Sequence, residues 1–115
     1  MNFEKAKDVC RGFPGSTEDI KWGADIVFSV GEKMFMVTGS ENPQGMSFKV
    51  EDERFLELTD RPGIIPAPYL ARAKWVRVEN AEALGDQEAA QLLRRSYELV
   101  FAKLTKKLQR EIGEA

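Results

Sequence analysis

Hydrophobic positions in residues 2–12 fall at Phe3, Ala6, Val9 and Cys10 with charges between them, the spacing of an amphipathic helix. Gly12 and then Pro14-Gly15 stop it. From Thr17 to Val50 the period drops to two: Ile20 and Trp22, then Ile26, Phe28 and Val30, then Met34 to Val37, then Met46, Phe48 and Val50. Gly23, Gly31-Glu32 and the stretch from Gly39 to Gly45 separate these groups, so a meander of about four antiparallel strands is the economical reading.

Glu51, Asp52 and Glu53 open a short helix carrying Phe55, Leu56 and Leu58, because carboxylates complement the unpaired amides of a helix start. It ends near Asp60. Three prolines between Arg61 and Pro68 remove backbone donors and restrict their neighbours, which predicts a stiff loop rather than a helix or a central strand. Lys74 to Glu79 alternates apolar with charged residues, the pattern of a strand with one wet face. A long final helix is predicted from Asp86 to about Ile112, striped by Leu93, Tyr97, Val100, Leu104 and Leu108. The sum is an α+β fold: a two-layer sandwich of an antiparallel sheet with the N- and C-terminal helices on one face. The other face is left to water or a partner.

Composition narrows the class. A chain of 115 residues with 43% hydrophobic and 31% charged residues is expected to form one domain, residues 1–115, around a real core. Cys10 is the sole cysteine, so a disulfide within the chain and a thiolate zinc site are both ruled out. The start is charged and no apolar run is long enough to span a bilayer, so a cytoplasmic protein without membrane contact is the expectation. A monomer is expected as well.

Net charge is −2, but it is unevenly spread. Residues 1–60 hold 12 acids and 7 bases (−5), whereas residues 61–115 hold 7 acids and 10 bases (+3). The second half is the basic half.

Phe13-Pro14-Gly15, Asp19-Ile20-Lys21-Trp22-Gly23, Lys33-Met34-Phe35 and Ser47-Phe48-Lys49 are followed in order by Arg61-Pro62-Gly63, Pro66-Ala67-Pro68-Tyr69-Leu70, Ala73-Lys74-Trp75-Val76 and Ser96-Tyr97-Glu98-Leu99-Val100. Order and spacing together resemble the MmcQ/YjbR family over nearly the whole chain. The resemblance implies a fold like that of the bacterial frataxin CyaY, and a DNA-binding label of double-wing type that rests on fold analogy. It carries over no catalytic residues. One departure is Thr105 before Lys106-Lys107, where family members often have proline; the helix is expected to run on.

Bases supply the leading candidate site. Arg94, Arg95, Lys103, Lys106, Lys107 and Arg110 face only Glu98 in opposition, and on a continuous helix Arg95, Lys103, Lys106 and Arg110 share one side. Arg61, Arg72, Lys74 and Arg77 form a second group with no acid among them, interleaved with Tyr69 and Trp75; Arg72, Lys74 and Arg77 of this group join the candidate phosphate contacts. Phosphates would take the charge and exposed rings would stack on bases, so DNA is the first candidate partner. The bland alternative is a solvated, dipole-complementing helix end. A protein partner or small ligand on the open sheet face or the Arg61–Leu70 loop is the second candidate. Trp22 and Trp75 are both expected to be buried.

Catalysis and cofactors find little support. The chain has no histidine, which removes the readiest proton carrier near neutral pH. Cys10, on an apolar helical face, reads as a structural thiol. No glycine-rich stretch has phosphate-loop spacing, and Glu51 to Glu53 point in different directions, so neither cofactor nor metal is expected. An enzyme is not expected. The hairpin tip at Gly31-Glu32-Lys33 and the loop Ser40 to Gln44 are candidate wings, though the latter carries an acid and no base.

Overall fold

The computed structural model describes residues 1–39 and 45–113; the candidate wing at 40–44 lies outside them. The first helix, α1 (Phe3–Arg11), begins where the Asn2 side chain accepts the Lys5 N–H at 2.7 Å. Four strands follow: β1 (Ser16–Lys21), β2 (Asp25–Val30), β3 (Lys33–Gly39) and β4 (Met46–Lys49). Then come α2 (Asp52–Thr59), β5 (Ile64–Pro66), β6 (Trp75–Val78), α3 (Asp86–Phe101) and α4 (Lys106–Gly113). The sheet is antiparallel throughout, in the order β1-β2-β3-β4-β6-β5.

Alternation along each strand sends Phe28, Met36, Phe48, Val76 and Val78 to one side, where none exposes any surface. There they meet Ala6 and Cys10 of α1 and Leu92, Leu93, Tyr97 and Val100 of α3. The register slips between Phe28 and Ser29, so Phe35 is an extra residue in β3. Its carbonyl is thereby released from the ladder, and the buried Ser96 hydroxyl of α3 donates to it at 2.7 Å. The same hydroxyl accepts the Lys49 N–H at 3.0 Å. One side chain thus ties α3 to two strands.

Two expectations need correction. The proline segment is not all loop: Ile64–Pro66 pairs with β6, and the edge position makes this possible because proline lacks only a donor that would face solvent. The final helix does not run on either. It stops at Phe101, and Thr105 caps a new helix by accepting the Leu108 N–H at 3.2 Å. The Gln109 amide then donates to the carbonyls of Phe101, Ala102 and Leu104 at 3.0–3.3 Å, satisfying the end of α3. The bend has a packing cause: a Cβ on Gly31 would lie 2.6 Å from Leu104, and one on Gly15 would lie 2.8 Å from Ile112. Both glycines have positive φ and form the seat of α4.

Candidate ligand-binding cleft on the open sheet face

The residues alternate to the core set, among them Met34, Val37, Ser47, Ile65 and Arg77, face away from the helices. Two segments rise above them. One is the turn between β1 and β2, whose closing pair is Lys21 and Asp25. The other is the segment Ala67–Leu70, held down because Trp75 accepts the Ala67 N–H at 3.0 Å and donates to the Leu70 carbonyl at 3.3 Å. Trp75 is buried beneath it, as expected.

Each raised segment carries one aromatic residue in an unusual backbone state. Trp22 has φ +53° and Tyr69 has φ +66°, the left-handed region in which bulky side chains are rare. Trp22 is 70% exposed and Tyr69 fully so. Burial of Trp22 was the expectation, and the structure overturns it. The tight three-residue turn requires Trp22 and Gly23 both to take positive φ, which removes Trp22 from the alternation of β1. The Trp22-Gly23 pair was the visible signal.

Between the two aromatic residues lies a cleft of about 400 Å³, within the range of small-molecule sites, roughly 300–1,000 Å³. Met34, Val37 and Ser47 contribute to its lining, with Asp25 on β2 and Arg77 on β6. Two strands separate β2 from β6, so the backbones that carry Asp25 and Arg77 stand roughly 14 Å apart across the sheet. A Cβ on Gly45 would fall 2.6 Å from the Arg77 guanidinium, so this glycine makes the room for it. Arg77 also stands 3.9 Å from the Glu79 carboxylate.

The bases singled out from the sequence are dispersed by comparison. Arg95 is held by Glu51 at 2.8 Å, and the guanidinium keeps that carboxyl below its usual range. The Lys74 ammonium sits 5.0 Å above the Phe55 ring. Arg77 belongs to the cleft. Because the helix breaks, Lys106 and Arg110 lie on α4, and the single cationic side containing Arg95 and Lys103 does not form. Arg72 and Lys103 remain exposed. One residue links the groups: Lys49 donates to the Ala73 carbonyl at 2.5 Å, while burial and the nearby Lys103 charge lower its pKa.

A smaller cleft between α2 and α3 is lined by Glu51, Arg54, Glu88 and Arg95. Its charges compensate one another: Arg61 binds Glu88 at 2.7 Å and Glu57 at 2.8 Å, which lowers the Glu88 carboxyl. Cys10 is buried, and desolvation pushes its thiol up to about 12, so it is no nucleophile near neutral pH. Among the described residues no group of acids, histidines or cysteines is placed to hold a metal, and no helix is long and apolar enough to cross a membrane.

Fold and uncovered face define the class: a two-layer α+β sandwich with one sheet face open. The chain belongs to the YjbR family, whose profile matches residues 11–99. It is similar to the Deinococcus radiodurans protein DR2400, a crystal structure with a DUF419 domain, at 30% identity and TM-score 0.84 over 97% of this chain and 88% of that one. A Pseudomonas syringae structural-genomics target shares the fold at 22% identity and TM-score 0.71, over 87% of this chain and 99% of that one. Comparison with curated proteins gives no match.

Proposed function

We propose that this protein is a binding module whose site is the open-face cleft, taking a small ligand with a planar, apolar body between Trp22 and Tyr69. The carrying observation is that two aromatic residues, both in left-handed backbone, border one cleft and expose their rings instead of burying them. Such backbone costs on the order of 1–3 kcal/mol per residue and concentrates at functional sites. Aromatic faces stack on planar groups, and Asp25 and Arg77 would orient polar ends of either sign.

The test uses naphthalene-sized probes: 2-naphthol, 2-naphthoate and a naphthylmethylammonium. Trp75 is buried and Trp22 exposed, so quenching of the exposed indole reports on the cleft. Saturable quenching that is lost in Tyr69→Gly, which keeps the reporting indole, is the expected result. No saturable response from any probe would count against the site.

A second reading, DNA binding through phosphate contacts, is supported by one observation. Lys49 ends β4 beside the start of β6, at the sheet end holding the Gly31 turn, and Leu104 packs on that turn. This brings Arg72, Lys103 and the start of α4 toward one end of the molecule. Binding of labelled duplex and single-stranded DNA should then fall steeply with salt. Lys106→Glu with Arg110→Glu should weaken it regardless of sequence; absence of binding at low salt rejects this reading.

A further inference from the structure

β1 is an edge of the sheet, and every residue from Thr17 to Lys21 is exposed. In an antiparallel pair, alternate residues turn their N–H and C=O groups toward the neighbour and the others turn them away. The Ser16 N–H bonds to the Phe13 carbonyl at 3.1 Å rather than to β2. Even-numbered residues of β1 therefore point their backbone outward, and Glu18 and Ile20 offer a ladder that is unpaired among the described residues. Ile20 also leaves 74% of its surface exposed.

Edge strands are ordinarily guarded by charge, and β1 carries Glu18, Asp19 and Lys21. Glu18 is neutralised within its own chain by two bonds from Arg11, at 2.8 and 2.9 Å. Asp19 and Lys21 have no ion-pair partner among the described residues. They have opposite sign and stand symmetrically on either side of Ile20. A strand so patterned is complementary to itself when reversed.

We propose that β1 pairs antiparallel with β1 of a second copy of this chain about a two-fold axis at Ile20, joining two six-stranded sheets into one. Opposed residues must share a face, which restricts the axis to a residue rather than a bond. An axis at Asp19 would pair Glu18 with the partner's Ile20 through the same outward groups, but it would oppose Asp19 to its own copy at a non-hydrogen-bonded position, where the like charges approach most closely. With the axis at Ile20, Ile20 and the partner's Ile20 exchange both backbone bonds. Asp19 then lies opposite the partner's Lys21, and Lys21 opposite the partner's Asp19, at the non-hydrogen-bonded positions where side chains approach most closely. Both clefts open on the same side of the joined sheet. An interface of one short strand is small, so the dimer is weak and concentration-dependent.

Sedimentation equilibrium on the full chain, from about 1 μM to about 1 mM, spans the affinities of such contacts. Wild type should pass from monomer toward dimer. Asp19→Lys and Lys21→Glu, each alone, oppose like charges across the axis and should raise the dissociation constant at least about tenfold. An equimolar mixture of the two variants restores both opposite-sign pairs and should recover near-wild-type association, which a misfolded variant would not do. Wild type that stays monomeric at the highest concentration overturns the proposal, as does a dimer indifferent to both substitutions or a mixture that fails to recover.

Discussion

On its helix side the sheet presents Phe28, Met36, Phe48, Val76 and Val78, all without exposed surface, to α1 and α3. On the other side the same strands present Met34, Val37, Ser47 and Arg77 to a cleft, and the rings beside them, Trp22 and Tyr69, face solvent. One alternating pattern builds both surfaces; what differs is whether a helix lies on top. Rings on the covered side contribute stability through burial and mutual packing, as where Phe35 meets the Tyr97 ring edge-on at 5.5 Å. Rings on the open side bury little and sit on costly backbone. Their exposure is the observation on which the proposed ligand site rests.

Truncations on the two sides should therefore diverge. Phe48→Ala, on the covered side, is expected to lower unfolding free energy by about 3–5 kcal/mol, read from the urea midpoint, because it leaves a cavity between sheet and α3. Ser96→Ala strands the Phe35 carbonyl and the Lys49 N–H together, and should cost about 1–3 kcal/mol by the same measurement. Trp22→Gly, on the open side, relieves a left-handed tryptophan and should leave stability unchanged or raise it by up to about 1 kcal/mol. A large loss in that variant would mean that Trp22 is structural, and the contrast between faces would collapse.

Two pH responses are smaller. The folded Cys10 thiol stands near 12 against an ordinary 9.0, so its contribution is complete below about pH 9 and fades as pH rises from there toward 12. Disulfide exchange with an aromatic disulfide at pH 8 should proceed only through opening of α1. At the acid end, Arg11, Lys5 and Arg61 hold the carboxyls of Glu18, Asp86 and Glu88 below their usual values. Stability from these pairs is present above about pH 4.5 and is lost as pH falls through the lowered values. The pairs are solvent-exposed, so salt should blunt the effect.

Much of the covered side was legible in the residues. The period-two stretch became β1 to β4, Leu93 and Tyr97 packed inward, and Cys10 took its place on the buried face of α1. Periodicity reports burial, and burial is what that side consists of. Two features were hidden for physical reasons. The break before Lys106 depends on Thr105 as a cap and on glycines 15 and 31 as a distant seat, which local spacing does not carry. The exposure of Trp22 depends on turn geometry, whereas its type argues for burial. The cleft joins the β1–β2 turn to a segment more than 40 residues later, so its assembly follows from the sheet order. The basic residues illustrate the converse, since spacing on one imagined helix set Arg95, Lys103, Lys106 and Arg110 on one side and the bend took them apart.

The most direct test follows backbone amide and indole resonances while 2-naphthol, 2-naphthoate and a naphthylmethylammonium are titrated into the protein. Shifts concentrated at Trp22, Asp25, Val37, Tyr69, Leu70 and Arg77 are expected for at least one probe, abolished in Trp22→Gly while the α1 and α3 resonances stay in place. Shifts centred on the α2–α3 cleft or on α4, or none from any probe, would contradict the proposed site.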